Sequence, residues 1–114
     1  MSYTENATNI LLLDRYITER VIQLRKEKNI KVSKLAEVLD TEESFIRKIE
    51  AYANKYNIHH LFLLASYFKV SINEFFPNEN NFKITKYSKD YKSFEEIYNV
   101  MKTEIKIKRK KGGK

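Results

Sequence analysis

The sequence predicts an all-α protein: a five-helix domain followed by a C-terminal helical extension. Three observations lead there. Apolar residues recur at spacings of three and four along most of the 114 residues. Only 2 glycines and 1 proline interrupt them. Two Ser-x-x-Glu spacings, Ser71 to Glu74 and Ser93 to Glu96, have the form of capping boxes at helix starts. With 42% hydrophobic and 32% charged residues, the composition is that of a folded chain rather than a disordered one.

The first helix spans 9–28, with Ile10, Leu13, Ile17, Val21 and Leu24 on one face. Thr8 or Asn9 is its cap, and Asn29 supplies a left-handed stop. A second helix carries Leu35, Ala36 and Leu39 and ends before Asp40. Thr41 turns or caps the chain, and Glu42 and Glu43 open a third helix that buries Phe45, Ile46 and Ile49. These apolar positions pack two helices across a tight turn, with Ala36 small enough to let them approach. Residues 52–57 form a loop. A fourth helix over 58–68 buries Leu61, Leu64, Ala65 and Phe68, and Ser71 opens a short fifth that ends at Phe76 before Pro77. The aromatic set Phe62, Tyr67, Phe68, Phe75 and Phe76 reads as core rather than as a ligand pocket.

The polar run NENN after Pro77 reads as a hinge, separating a domain over 1–77 from a segment over 78–114. Beyond it Phe82, Ile84 and Lys86 alternate as in a short strand. Phe94, Ile97, Tyr98, Met101 and Ile105 then line one face of a helix of about four turns. Such a stripe requires a covering surface, which is either a second chain, making this the dimerisation helix, or the chain's own Tyr and Phe residues. The closing KIKRKKGGK has no apolar face and reads as a mobile basic tail. The net charge of +7 is concentrated here: residues 1–77 hold 11 basic and 10 acidic side chains, residues 78–114 hold 11 and 5. An anionic partner is expected to meet the C-terminal third.

The absence of cysteine removes disulfides and thiol chemistry and fits a reducing cytoplasm, the expected location. No apolar run approaches the ~20 residues that span a bilayer, so no membrane partner is expected. Adjacent His59 and His60 point about 100° apart on a helix and do not share a metal. Nothing resembles a nucleophile turn or a phosphate loop, so the chain is read as a non-enzyme with no metal and no cofactor.

At Leu35 and Ala36, then Ile46, Ile49 and Glu50, the chain resembles the helix-turn-helix domain of the Cro/CI, or XRE, family of bacterial and phage repressors. LRKEKNI at 24–30 is similar to the end of that family's first helix, and ASYFKVSINEFF at 65–76 to its last two, so the resemblance covers about 15–76. It implies an ion pair between Arg25 and Glu50 that ties the first helix to the third. It implies base contacts from Glu43, Ser44 and Lys48 and backbone contacts from Lys31, Arg47, Asn54 and Lys55. Several positions depart from the family pattern. Val32 and Lys31 stand where a glutamine and a Ser or Thr cap are usual, Asp40 and Tyr52 stand at glycine positions, and Tyr56 stands at a proline.

The two glutamates that open the third helix favour it through its macrodipole, by ~0.3–1 kcal/mol each. In a groove they meet phosphate repulsion, so Glu42 is read as an outward-facing cap, and Glu43 either accepts from a cytosine amino group or weakens binding. Two functions are carried forward. The first is a sequence-specific transcriptional regulator, a homodimer on double-stranded DNA with the third helix in the major groove. The second is a helix-turn-helix fold used as a protein-interaction module, an antirepressor or a regulator of another regulator, whose partner is a protein.

Overall fold

The computed structural model describes residues 10–113, and the side chains of 10–109. It is all-α, with helices α1 (Leu12–Glu27), α2 (Val32–Val38), α3 (Glu43–Glu50), α4 (Ile58–Phe68), α5 (Glu79–Phe82) and α6 (Phe94–Gly113). Short 3-10 turns occupy Ile72–Glu74 and Lys86–Lys89. The stop at the end of α1 is Asn29, in the left-handed region at φ 55°. Asp40 after α2 (φ 55°), Tyr52 after α3 (62°) and Lys69 after α4 (61°) do the same. In each case the following amide reaches back over the last turn: Ile30 to Arg25, Thr41 to Ala36, Ala53 to Lys48 and Val70 to Ala65, at 2.8–3.0 Å. The Thr8 or Asn9 cap of α1 lies outside the described residues. Among the described residues that start is capped from a distance, since the Glu104 carboxylate on α6 accepts the Leu12 N–H at 2.6 Å.

Helix α1 contributes to two cores. Its later turns place Ile17, Val21 and Leu24 against Leu35, Ile46, Ile49, Leu64 and Phe75 of the following elements. Its first turns place Leu12 and Tyr16 against Phe82, Tyr87, Ile97 and Met101. Tyr16 stacks on Tyr87 with ring centres 5.6 Å apart. The partly buried Leu13 touches both groups.

Several expectations for the C-terminal third are corrected. The NENN run, read as a polar hinge, carries the start of a helix, since Asn78 and Asn81 form a reciprocal capping box that opens α5. Asn81 is itself buried: its amide donates to the carbonyls of Glu74 (3.1 Å) and Phe76 (3.0 Å), and its oxygen accepts the Tyr16 hydroxyl. The alternation of Phe82, Ile84 and Lys86 makes no strand, and none occurs among the described residues. The Phe82 N–H bonds Asn78 and the Thr85 N–H bonds Phe82, so the backbone turns where a strand would extend. The basic run after Ile105 continues α6 as far as Gly113 rather than leaving the helix. The predicted fifth helix is a single 3-10 turn, with the Ser71 hydroxyl accepting from Asn73 rather than forming a box with Glu74.

Replacing Asn81 with Ala leaves the buried Tyr16 phenol without its acceptor, whereas the Glu74 and Phe76 carbonyls keep Arg20 and Asn78 as donors. Urea unfolding is expected to show a loss on the order of 1–3 kcal/mol.

Candidate nucleic-acid interface

The pair α2–α3 is set by its turn. Asp40 takes the left-handed conformation that ends α2, and α3 begins at Glu43, its N-cap Glu42 making no side-chain cap bond. The carboxylate of Glu42 is exposed, so the start of α3 lacks the side-chain cap expected of that residue. Leu35 and Ala36 of α2 and Ile46 and Ile49 of α3 are buried between the helices and the rest of the first core. This leaves Glu43, Ser44, Arg47 and Lys48 exposed on the other side of α3.

Arg25 fixes the far end of that helix. Its Nε and Nη2 donate to the two oxygens of Glu50 at 2.8 and 3.0 Å, and its Nη1 donates to the Ile30 carbonyl at 2.9 Å. Both side chains are largely shielded, 12% and 17% exposed, so the two parallel bonds act with little screening. Tyr56 is buried beside them, and its hydroxyl has no hydrogen-bond partner among the described residues. Burial pushes that phenol well up, and the charge of Glu50 pushes it further.

The charges on the outer face of α3 are partly spent on one another. Arg47 bonds Glu43 at 3.1 Å across one helical turn, an exposed pair worth about 0.3–0.5 kcal/mol. Glu43 therefore has a cation beside it and holds the Arg47 guanidinium against α3. Lys31, just before α2, shares a shallow depression with Ser33, Glu43 and Arg47. Ser33 carries no sequence signal beyond its place in the first turn of α2. Lys55 is drawn toward Asp14 of α1 at 3.8 Å. Burial nonetheless pushes the Asp14 carboxyl up, with Lys55 opposing it and Glu104 adding to it. The Asn54 side-chain oxygen accepts the Lys55 N–H at 2.8 Å.

Tyr52, in the left-handed position after α3, gathers three elements. Its hydroxyl donates to Glu19 of α1 at 3.4 Å and accepts from Lys86 at 2.9 Å, and the Lys86 ammonium lies 4.6 Å from its ring centre. Burial, then the charge and hydrogen bond of Glu19, push this phenol up to about 12. Sequence reading missed the cluster, since Glu19, Tyr52 and Lys86 share no local pattern.

The residues assigned to dimerisation divide. Ile97 and Met101 are buried in the second core against α1, so that part of the stripe faces its own chain. Phe94 packs partly on Phe82, Ile105 is half-buried and Tyr98 is exposed. The aromatic set read as core divides too: Phe68 and Phe75 meet edge to face inside, whereas Phe62 and Tyr67 lie on the outer side of α4. Among the described residues no group of three His, Asp or Glu side chains is placed to hold a metal ion, and no helix is long and apolar enough to cross a membrane.

Removal of either Arg25 or Glu50 by Ala is expected to cost about 3 kcal/mol, with the double variant costing much less than the sum in a denaturation cycle. His60 at the start of α4 adds a pH term. Its Nδ1 accepts the Asn57 N–H at 3.0 Å, and burial, then the charge of His59, hold its pKa below the ordinary 6.5. The neutral ring is the one the fold prefers, so this contribution is present above pH 6.5 and is lost as pH falls through the lowered folded value. His60→Gln keeps an acceptor without titrating, so its thermal midpoint is expected to fall less than the parent's between pH 7 and pH 5.

Scans of the chain against protein-family models, curated proteins and solved structures each return no match.

Proposed function

We propose that the chain is a sequence-specific transcriptional regulator that binds double-stranded DNA as a dimer, a helix-turn-helix protein of the Cro/CI type with α3 in the major groove. One observation carries this reading. Ile46 and Ile49 seal one face of α3 into the core at 0% exposure, while Glu43, Ser44, Arg47 and Lys48 stand together on the opposite, exposed face. A helix so anchored presents four polar side chains in fixed register, which is what reading base edges requires. Ser44 and Lys48 read bases, Lys48 at guanine O6 and N7, while Glu43 accepts from cytosine N4. Lys31, Arg47, Asn54 and Lys55 hold phosphates and set the register. The Arg25–Glu50 bond keeps α3 from rolling on α1.

The second reading, a protein-interaction module, draws on the pairing of Arg47 with Glu43 and of Lys55 with Asp14, which reduces the positive charge offered to phosphate. Repeated selection from a random duplex pool separates the two. Enrichment of a near-palindromic sequence with half-sites about 34 Å apart is expected for the regulator. A pool that stays random would favour the protein module. On the enriched duplex Lys48→Ala is expected to lose ~1–3 kcal/mol. Deletion of residues 106–114 is expected to flatten the salt dependence by about 0.9 for each phosphate the tail neutralises, while leaving sequence preference intact.

A further inference from the structure

Tyr52 stands where the end of α3 meets the loop that carries Asn54 and Lys55. At φ 62° it bends the backbone so that the Ala53 N–H returns to the Lys48 carbonyl at 2.8 Å and closes the last turn of α3. Lys69 makes the same bend after α4, at φ 61°, and returns the Val70 N–H to the Ala65 carbonyl at 3.0 Å. The two stops differ in what surrounds them. Lys69 is exposed, whereas the Tyr52 hydroxyl donates to Glu19 of α1 at 3.4 Å and accepts from Lys86 at 2.9 Å, with the Lys86 ammonium 4.6 Å from the ring centre.

Lys86 is anchored from the other side. It lies between Thr85 and Tyr87, both buried, the first bonded through its hydroxyl to the Phe82 carbonyl and the second stacked on Tyr16. Its backbone therefore belongs to the second core and does not follow the loop. Its ammonium also comes within 4.0 Å of the Glu19 carboxylate and 5.5 Å of the Tyr87 ring centre. Glu19 is fixed in turn on α1, between the buried Thr18 and Arg20. Three anchored groups thus converge on one bend, and an ionised partner on each side of the phenol strengthens both of its hydrogen bonds. A glycine at this position makes the bend with less strain and with none of these contacts. The residue type that suits the backbone less is the one that ties it to the C-terminal third.

We propose that Tyr52 and Lys86 are positioning residues: with Glu19 they form a clasp by which the segment after Pro77 holds the last turn of α3, and the loop at Asn54 and Lys55, in place for DNA. Its purpose rests on the reading of α3 as the DNA-binding helix, but the clasp itself is measurable without DNA. Residue-resolved amide exchange on the full chain reads it, since Ala53 is exposed and its amide is shielded by the bond to Lys48 rather than by burial. Lys86→Met keeps the reach of the side chain without its charge and is expected to lower the Ala53 protection factor at least fivefold, with Val70 unchanged; Lys86→Arg restores a cationic donor and with it the protection. Tyr52→Gly is expected to lower Ala53 protection as well, and adding Lys86→Met to it should change nothing more. Ala53 protection that survives Lys86→Met or Tyr52→Gly overturns the proposal, as does an equal loss at Val70, the mark of a general loss of stability. On an enriched duplex Lys86→Met should weaken binding at least threefold at an unchanged salt slope; a slope flatter by about 0.9 would make Lys86 a phosphate contact and overturn its positioning role. If selection enriches no duplex while Ala53 responds, the clasp stands and the DNA reading fails. With an enriched duplex and an unresponsive Ala53, the clasp fails and the DNA reading stands.

Discussion

A single helix, α1, closes two cores at once, and the rest of the molecule depends on that sharing. Ile17, Val21 and Leu24 support the pair α2–α3, while Leu12 and Tyr16, nearer its start, pack among the described residues against Phe82, Tyr87, Ile97 and Met101, all of which follow Pro77. Neither core is large, and each limits how α1 can move for the other. Arg20 reinforces the constraint between them. Buried on α1, it donates to the Glu74 carbonyl at 2.8 Å and to Gln23 at 2.7 Å, and Gln23 in turn reaches the Ile84 carbonyl at 2.7 Å. The path from the second core to the exposed face of α3 is therefore short. It runs through α1 and then through either Arg25 to Glu50 or Glu19 to Tyr52.

Much of the helical arrangement was legible in spacing. The bounds of α4 coincide with those read from apolar periodicity and Asn57 caps it, while Leu35, Ala36, Ile46 and Ile49 are buried where the two-helix pattern puts them. Reading failed where one residue type serves two environments. Asparagine marks loops by its polarity, yet Asn78 and Asn81 use that polarity to start a helix and to satisfy buried carbonyls. Phenylalanine marks cores, yet α4 is apolar nearly all round, so its periodicity does not say which aromatic faces in; Phe68 does and Phe62 does not. The stripe on α6 announced a need for cover without saying what supplied it.

The candidate site was legible to a different depth. That Glu43, Ser44, Arg47 and Lys48 face out follows from helical spacing, because the positions that alternate with buried Ile46 and Ile49 must do so, whereas their choice as a candidate site comes from the family resemblance. The ties that hold that face in place do not follow from spacing. Arg25 with Glu50, Asp14 with Lys55 and Tyr52 with Lys86 are brought together by tertiary packing, and no local pattern pairs them. Of the two glutamates that open α3, Glu43 lies beside Arg47, and each neutralises the other on one turn.

The left-handed stops have a consequence beyond ending helices. Both glycines of the chain lie at 112 and 113, so everything from α1 to Arg109 folds without one, and Asn29, Asp40, Tyr52 and Lys69 take up conformations usually left to glycine. Asparagine and aspartate tolerate this well; tyrosine and lysine bear roughly 1 kcal/mol of local strain each. The same substitution acts on the denatured ensemble in the opposite sense, because a chain with side chains at every turn has fewer backbone states to lose on folding. The fold thus trades strain at Tyr52 and Lys69 for a denatured state of lower entropy. For Tyr52 the exchange has a second part: only a residue with a side chain at that bend can bring Glu19 and Lys86 to the end of α3.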